Sequence, residues 1–168
     1  MQRVIHALAA LVLVLFLASC AGYRNSADPG APLALPADCR ALFLRTVVNP
    51  TMEPGLEATL RSALRDEITR RGRMAWAPRE AATAYVDVTV HRFTSHTSLT
   101  GSDDETLKSS AGISLTLDVF RRSDGVQVWT SGRVGASESY TGNDKNQAEA
   151  NVLDMAVRRA VDRMAQDY

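Results

Sequence analysis

Residues 46–57 read TVVNPTMEPGLE, and the fold turns on how that stretch is parsed. An apolar run of strand length, 41–48, ends inside it, and Asn49-Pro50-Thr51 makes a polar turn. Pro54 then stands where a helix tolerates proline, in the first turn, whose N–H has no acceptor in any case. Thr51 or Glu53 is placed to cap that helix, and Glu53 and Glu57 put negative charge at the positive end of its dipole. Leu56, Leu60, Leu64 and Ile68 recur every fourth residue with Ala63 beside them, which makes one apolar stripe. Glu57–Arg61, Asp66–Arg70 and Glu67–Arg71 are acid-before-base pairs four apart, expected on the solvent side. Gly72 stops the helix behind Arg70 and Arg71. The stretch therefore predicts a strand followed by a helix over 53–71.

Downstream the period changes from 3.6 to 2. Val86, Val88 and Val90 alternate with Tyr85, Asp87, Thr89 and His91, a half-buried strand over 84–93. Residues 94–110 are polar and Ser/Thr-rich around Asp103-Asp104-Glu105 and read as a long connection with strand extensions at either end. Ile113, Leu115, Leu117 and Val119 alternate with Ser114, Thr116, Asp118 and Phe120, and Ser123-Asp124-Gly125 is a hairpin turn. The next strand sets Val126 and Val128 on one face and Gln127 and Trp129 on the other. It runs to Tyr140, bent or bulged at Gly132 and Gly135. A last helix over 144–165 has Leu153, Ala156, Val157, Ala160, Val161 and Met164 on its apolar side. The order β-α-β-β-β-α predicts an α+β fold in two layers, two helices packed on one face of a four-stranded mixed sheet. The other sheet face would carry Thr, Ser and Asp with Tyr85, Phe120 and Trp129, a surface that suggests a partner.

Upstream, MQRVIHALAALVLVLFLASC (1–20) has one Arg ahead of an apolar stretch too short to span a membrane comfortably and of the right length for a signal-peptide core. Its ending, Leu17-Ala18-Ser19-Cys20, resembles the lipobox of bacterial lipoproteins. By that resemblance residues 1–19 are a signal peptide and Cys20 becomes a lipidated N-terminus, held to a membrane without spanning it. Residue 21 is Ala rather than the Asp that typically retains such proteins at the inner membrane of enteric bacteria, so the expected address is the periplasmic side of the outer membrane. Residues 20–39, rich in Ala, Pro, Gly and Asp, read as a lipid-anchored tether, and 40–168 as a single domain.

The chain has 168 residues, 19 basic and 19 acidic, so nothing in its charge points to nucleic acid. Lys occurs only at 108 and 145. Arg gives bidentate contacts to phosphate and carboxylate, though GC-rich coding would produce the same bias. No G-x-S-x-G, G-x-G-x-x-G, P-loop or C-x-x-C is present, and no nucleophile and base share a pattern, so no enzyme activity and no cofactor are expected. His91 and His96 lack a third well-spaced ligand for a metal, and the carboxylates at 103–105 read as a solvated loop tip. Cys39 reads as a small buried hydrophobe. Three basic clusters remain, Arg70-Arg71-Arg73, Arg121-Arg122 and Arg158-Arg159, each either a solvated face or a contact for an anionic ligand.

A lipobox, an apolar strand, the run Asn49-x-Thr51-x-x-Pro54-Gly55-Leu56-Glu57 leading a helix, the V-x-V-x-V strand at 86–90, and LTLDVFRRSDGVQVW at 115–129 together resemble the LptE (RlpB) family of lipopolysaccharide-assembly outer-membrane lipoproteins. The chain departs from the Cys-Gly-Tyr/Phe start common there, having Cys20-Ala21-Gly22-Tyr23. The resemblance implies a non-enzymatic protein that plugs the large LptD β-barrel, assists its assembly, and contacts lipopolysaccharide on its way to the cell surface. Local cations would then meet phosphate: Arg92 and Lys108, which antiparallel pairing of their strands would bring toward one sheet end, and Arg121 and Arg122 at the opposite end. An alternative is an accessory lipoprotein regulating a periplasmic cell-wall enzyme. The short tether, at most roughly 60 Å when extended, favours work close to the membrane.

Overall fold

A computed structural model describes residues 33–100, 106–141 and 144–164, with the backbone alone at 96–100 and 106–108. β1 (Ala41–Val48) enters α1 (Leu56–Arg71) through a loop organised by one side chain. Asn49 Oδ1 accepts from the Thr51 N–H at 3.0 Å and from its hydroxyl at 2.6 Å, and Asn49 Nδ2 donates to the Glu53 carbonyl at 3.4 Å. This is an Asx turn, which lets asparagine replace backbone pairing where a strand must stop. Neither Thr51 nor Glu53 caps the helix. The N-cap is Gly55, left-handed at φ 78° and without a side-chain hydrogen bond, a conformation that costs glycine little. The helix accordingly starts three residues later than the sequence suggests.

The remaining elements are β2 (Ala75–Trp76), β3 (Ala84–Thr100), β4 (Thr106–Arg121), β5 (Gln127–Tyr140) and α2 (Lys145–Met164). The strands form one sheet in the order β2-β1-β3-β4-β5; β1 runs parallel to both neighbours, and β3, β4 and β5 are antiparallel. The α+β architecture is as expected, with one strand more than four. β2 has two residues, too few to show any periodicity. Most of 94–110 is strand rather than connection, because Thr94 to Thr97 and Ser109 to Gly112 complete a regular ladder. Asp103-Asp104-Glu105, like residues 1–19 and Cys20, lies outside the described residues.

One cluster forms the core. Val86, Val88, Val90, Ile113, Leu115 and Leu117 supply one sheet face, α1 its Leu56, Leu60, Leu64 and Ile68, and α2 its Leu153, Ala156, Val157, Ala160, Val161 and Met164. The expected tether contributes too. Leu35 and Cys39 are buried at 2% and 0% exposure, and the Ala34 N–H donates to the Met164 carbonyl at 2.8 Å. Packing therefore begins ahead of Arg40, and burial pushes the Cys39 thiol pKa up.

Two side chains stand elsewhere than expected. Glu67, placed on the solvent side by its i,i+4 spacing, is 3% exposed between the helices, where Arg70, Arg71 and Arg158 converge on it. Arg71 also reaches Asp162 at 2.6 Å, tying α1 to α2. Trp129, expected on the open face, pairs with Val119 and packs against the core. The cause is an extra residue, Val128, between the pairs Val119–Trp129 and Phe120–Gln127, and one inserted residue reverses every side chain beyond it.

Candidate functional site

The sheet face turned away from the helices is built in cross-strand rows. Phe43, Tyr85, Phe120 and Gln127 form the first. Phe43 and Tyr85 meet edge to face at 6.1 Å. Arg45 is the extra residue of a bulge in β1, between the pairs Leu44–Val86 and Thr46–Asp87. Its guanidinium lies 5.4 Å from the Tyr85 ring and 5.0 Å from Phe120, and it donates to both Asp87 oxygens at 3.0 and 2.6 Å. The hydrogen bond to Asp87 and the pair's charge hold the Arg45 pKa above its ordinary value. Aromatic and charged groups here satisfy one another, and the row is a finished surface rather than an open pocket.

Farther along, the same face turns to hydroxyls and cations. Thr89, Thr116 and Arg133 share one row, and Arg92, Ser114 and Gly135 the next. His91, the extra residue of a bulge in β3, bonds the Thr116 hydroxyl through Nε2 at 2.7 Å. Arg92 and Arg133 are exposed, two strands and one row apart, roughly 12 Å between Cα atoms. Ser114 Oγ lies between them, enclosed and without a hydrogen-bond partner among the described residues. A phosphate or carboxylate seated over this part of the face would meet two guanidiniums. Arg133 carries no motif; its alternation is crossed by two bulges in β5, at Val128 and at Ser131–Gly132, so only the folded register puts it beside Arg92.

The other expected ligand residues separate. Lys108 pairs with Leu99, seven residues beyond Arg92, so the two lie roughly 20 Å apart along the sheet. Arg121 and Arg122 sit at the far hairpin and are engaged there. Arg121 pairs with Asp124 at 2.9 Å and with Asp38 at 3.4 Å, and Arg122 donates to the Glu80 and Ala82 carbonyls. The backbone N–H of Val126 and the Arg121 guanidinium together hold the Asp124 pKa below its ordinary value. Arg121 and Arg122 line a cleft of about 420 Å³ with Asp38, Ala82, Thr83 and Ser123, but their positive charge is spent on joining the hairpin to the chain before β1 and β3. Among the described residues no group of three or more His, Cys, Asp or Glu side chains could hold a metal ion, and no helix is long and apolar enough to cross a membrane.

A family model described as LptE, lipopolysaccharide-assembly, matches residues 40–167. No curated protein matches the sequence. Among solved structures, the PelC dodecamer of Paraburkholderia phytofirmans is similar at 16% identity and TM-score 0.55, over 82% of this chain and 94% of that one. Lipoprotein GNA1162 of Neisseria meningitidis is similar at 12% identity and TM-score 0.51, over 76% and 99%. The hypothetical protein CT253 of Chlamydia trachomatis gives 9% identity and TM-score 0.51, over 74% and 94%. These likenesses establish a shared fold.

Proposed function

The chain belongs to the LptE lipopolysaccharide-assembly family, and on that premise we propose that it is a non-enzymatic outer-membrane lipoprotein that plugs and helps assemble an LptD-type β-barrel and contacts lipopolysaccharide in transit. The observation that carries the reading is the family match, which spans the packed domain from the start of β1 through α2. Cys20 is the lipid attachment site, on the periplasmic side of the membrane, and the residues after it form the tether.

The open sheet face supports the reading. The lumen of a wide barrel is polar, and this face offers hydroxyls, paired charges and partly covered aromatic rings rather than an apolar patch. Arg92 and Arg133 flanking Ser114 supply a place for a lipopolysaccharide phosphate on a chain with no net charge. Binding there falls with salt, since exposed charges are screened over about 10 Å at 0.1 M.

Purification of the tagged full chain from solubilised outer membrane tests the barrel. A large β-barrel recovered in equal amount supports the reading. A cell-wall synthase recovered instead supports regulation of a periplasmic enzyme. For the ligand, Arg133→Ser weakens lipopolysaccharide binding several-fold at low salt and leaves barrel recovery unchanged; unaltered binding refutes the subsite alone. Cys20→Ser leaves unprocessed precursor at the inner membrane, and mass spectrometry showing residues 1–19 intact in the native protein refutes the anchor.

A further inference from the structure

β1 stops at Val48, opposite Thr89, while β3 continues to Thr100. Beyond Thr89 the side of β3 that β1 had occupied carries no ladder partner among the described residues. Asn49-Pro50 turns the chain out of the sheet at that point, and proline could not have continued as a ladder donor. What is left is a vacant strand lane beside Arg92–Thr97, six consecutive residues in regular register with β4.

The sheet's other edges are blunted, as isolated strand edges generally are. On β5, Arg159 donates to the Gly135 carbonyl and Arg163 to those of Ser131 and Arg133, so helix arginines occupy acceptors along the outer edge. On β1, the β2 strand covers Ala41 and Leu42, and the bulge at Arg45 interrupts the rest. Among the described residues the lane beside β3 has no such cover. At its near end the Asx turn holds out Met52, 96% exposed, next to Val48 at 47%. A loop preorganised by three Asn49 hydrogen bonds gives up little entropy on contact, and an apolar side chain presented this way suits a protein pocket.

We infer that the lane is filled by an extended segment of another protein, added to β3 as a strand, with Met52 and Val48 anchoring its end. Charge selects the occupant. The described side chains at 90–95 include His91 and Arg92 and no carboxylate. Two copies paired through this edge would set Arg92 against residues without an acid, and like charges across strands repel. The segment therefore carries an acidic residue facing Arg92, with alternating apolar residues beside Phe93, which is half-buried against the core. Glu53 and Glu57, both exposed, and the lack of Lys or Arg anywhere in 46–60 argue against an anionic membrane as what Met52 meets. Main-chain pairing would supply affinity and the alternate side chains specificity. The inference rests on the sheet's geometry and not on the family reading.

The test places the photo-crosslinking residue p-benzoylphenylalanine at Thr94 in the full-length chain in cells, leaving Arg92 and Met52 intact. The expected result is one principal adduct, mapped by mass spectrometry to a short acidic segment of a different protein. In the same background Met52→Asp lowers adduct yield about tenfold, equivalent to about 1.4 kcal/mol, without changing the melting temperature. Adducts to residues 21–32 of the same chain, to a second copy or to lipid overturn the inference, as does no adduct. A yield unmoved by Met52→Asp overturns the anchoring role. A barrel recovered in the purification above without an adduct at Thr94 separates failure here from failure of the proposed function.

Discussion

Glu67→Gln removes the charge that joins the two helices while keeping the side chain's shape. Breaking a buried ion pair from one side ordinarily costs about 3–5 kcal/mol, because the partner is stranded. Here the partners are not stranded. Arg70 and Arg158 are 59% and 52% exposed and pass to water; Arg158 keeps Asp154 and Arg71 keeps Asp162. The loss reduces to the charge-assisted bonds from Arg70 and from Arg71 Nε, the latter at 2.7 Å. Each such bond is worth about 1.5–3 kcal/mol, and relief from burying a carboxylate offsets part of the sum. The expected cost is about 2 kcal/mol, a drop in melting temperature of roughly 6–10 °C for a domain of this size. Burial raises the Glu67 pKa, but hydrogen bonds and charge from Arg70 and Arg71 outweigh it, and the folded value lies below the ordinary 4.5. A folded pKa below the unfolded one means stability that is present above pH 4.5 and lost as pH falls through the folded value. Circular dichroism melts of wild type and Glu67→Gln should therefore differ at pH 7 and converge in acid, where protonated Glu67 resembles Gln. A difference under about 1 °C at pH 7, or one that persists unchanged in acid strong enough to protonate Glu67, would refute the account.

Leu64→Ala, at 2% exposure on the α1 stripe, should cost about 2–5 kcal/mol in denaturant unfolding, while Arg61→Ala should cost under about 0.5; equal costs would mean α1 presents another face to the sheet. Leu35→Ala should cost about 2–4 kcal/mol although it lies in the proline-rich lead, and a chain begun at Arg40 should melt well below one begun at residue 33. Identical melts would show that residues 33–39 add nothing to the fold.

Local chemistry was enough to specify both helices and the middle of each long strand, but neither β2 nor the strand ends within 94–110. Leu56 to Ile68 at four-residue spacing and the alternation from Val86 to Val90 each bury one face whatever they meet, so element type and the two-layer class were legible before any contact was known. The lipidation proposed for Cys20 rests on a different kind of pattern, a processing signal read as sequence. The site was not legible. Glu67 on its helix looks like any acid of an i,i+4 pair, and only the approach of α2 turns its exposed position into a buried one. Arg92 and Lys108 belong to neighbouring strands, yet register separates them, because pairing offset depends on where each strand begins and on bulges that no single strand's pattern reveals. The bulges at Arg45, His91, Val128 and Ser131–Gly132 decide which side chains share the open face, bringing Arg133 toward Arg92 and turning Trp129 against the core. The sequence thus determined what each segment had to bury. Which polar groups face one another, and where β3 outruns β1, are differences between chain lengths and registers, and these exist only once the strands are side by side.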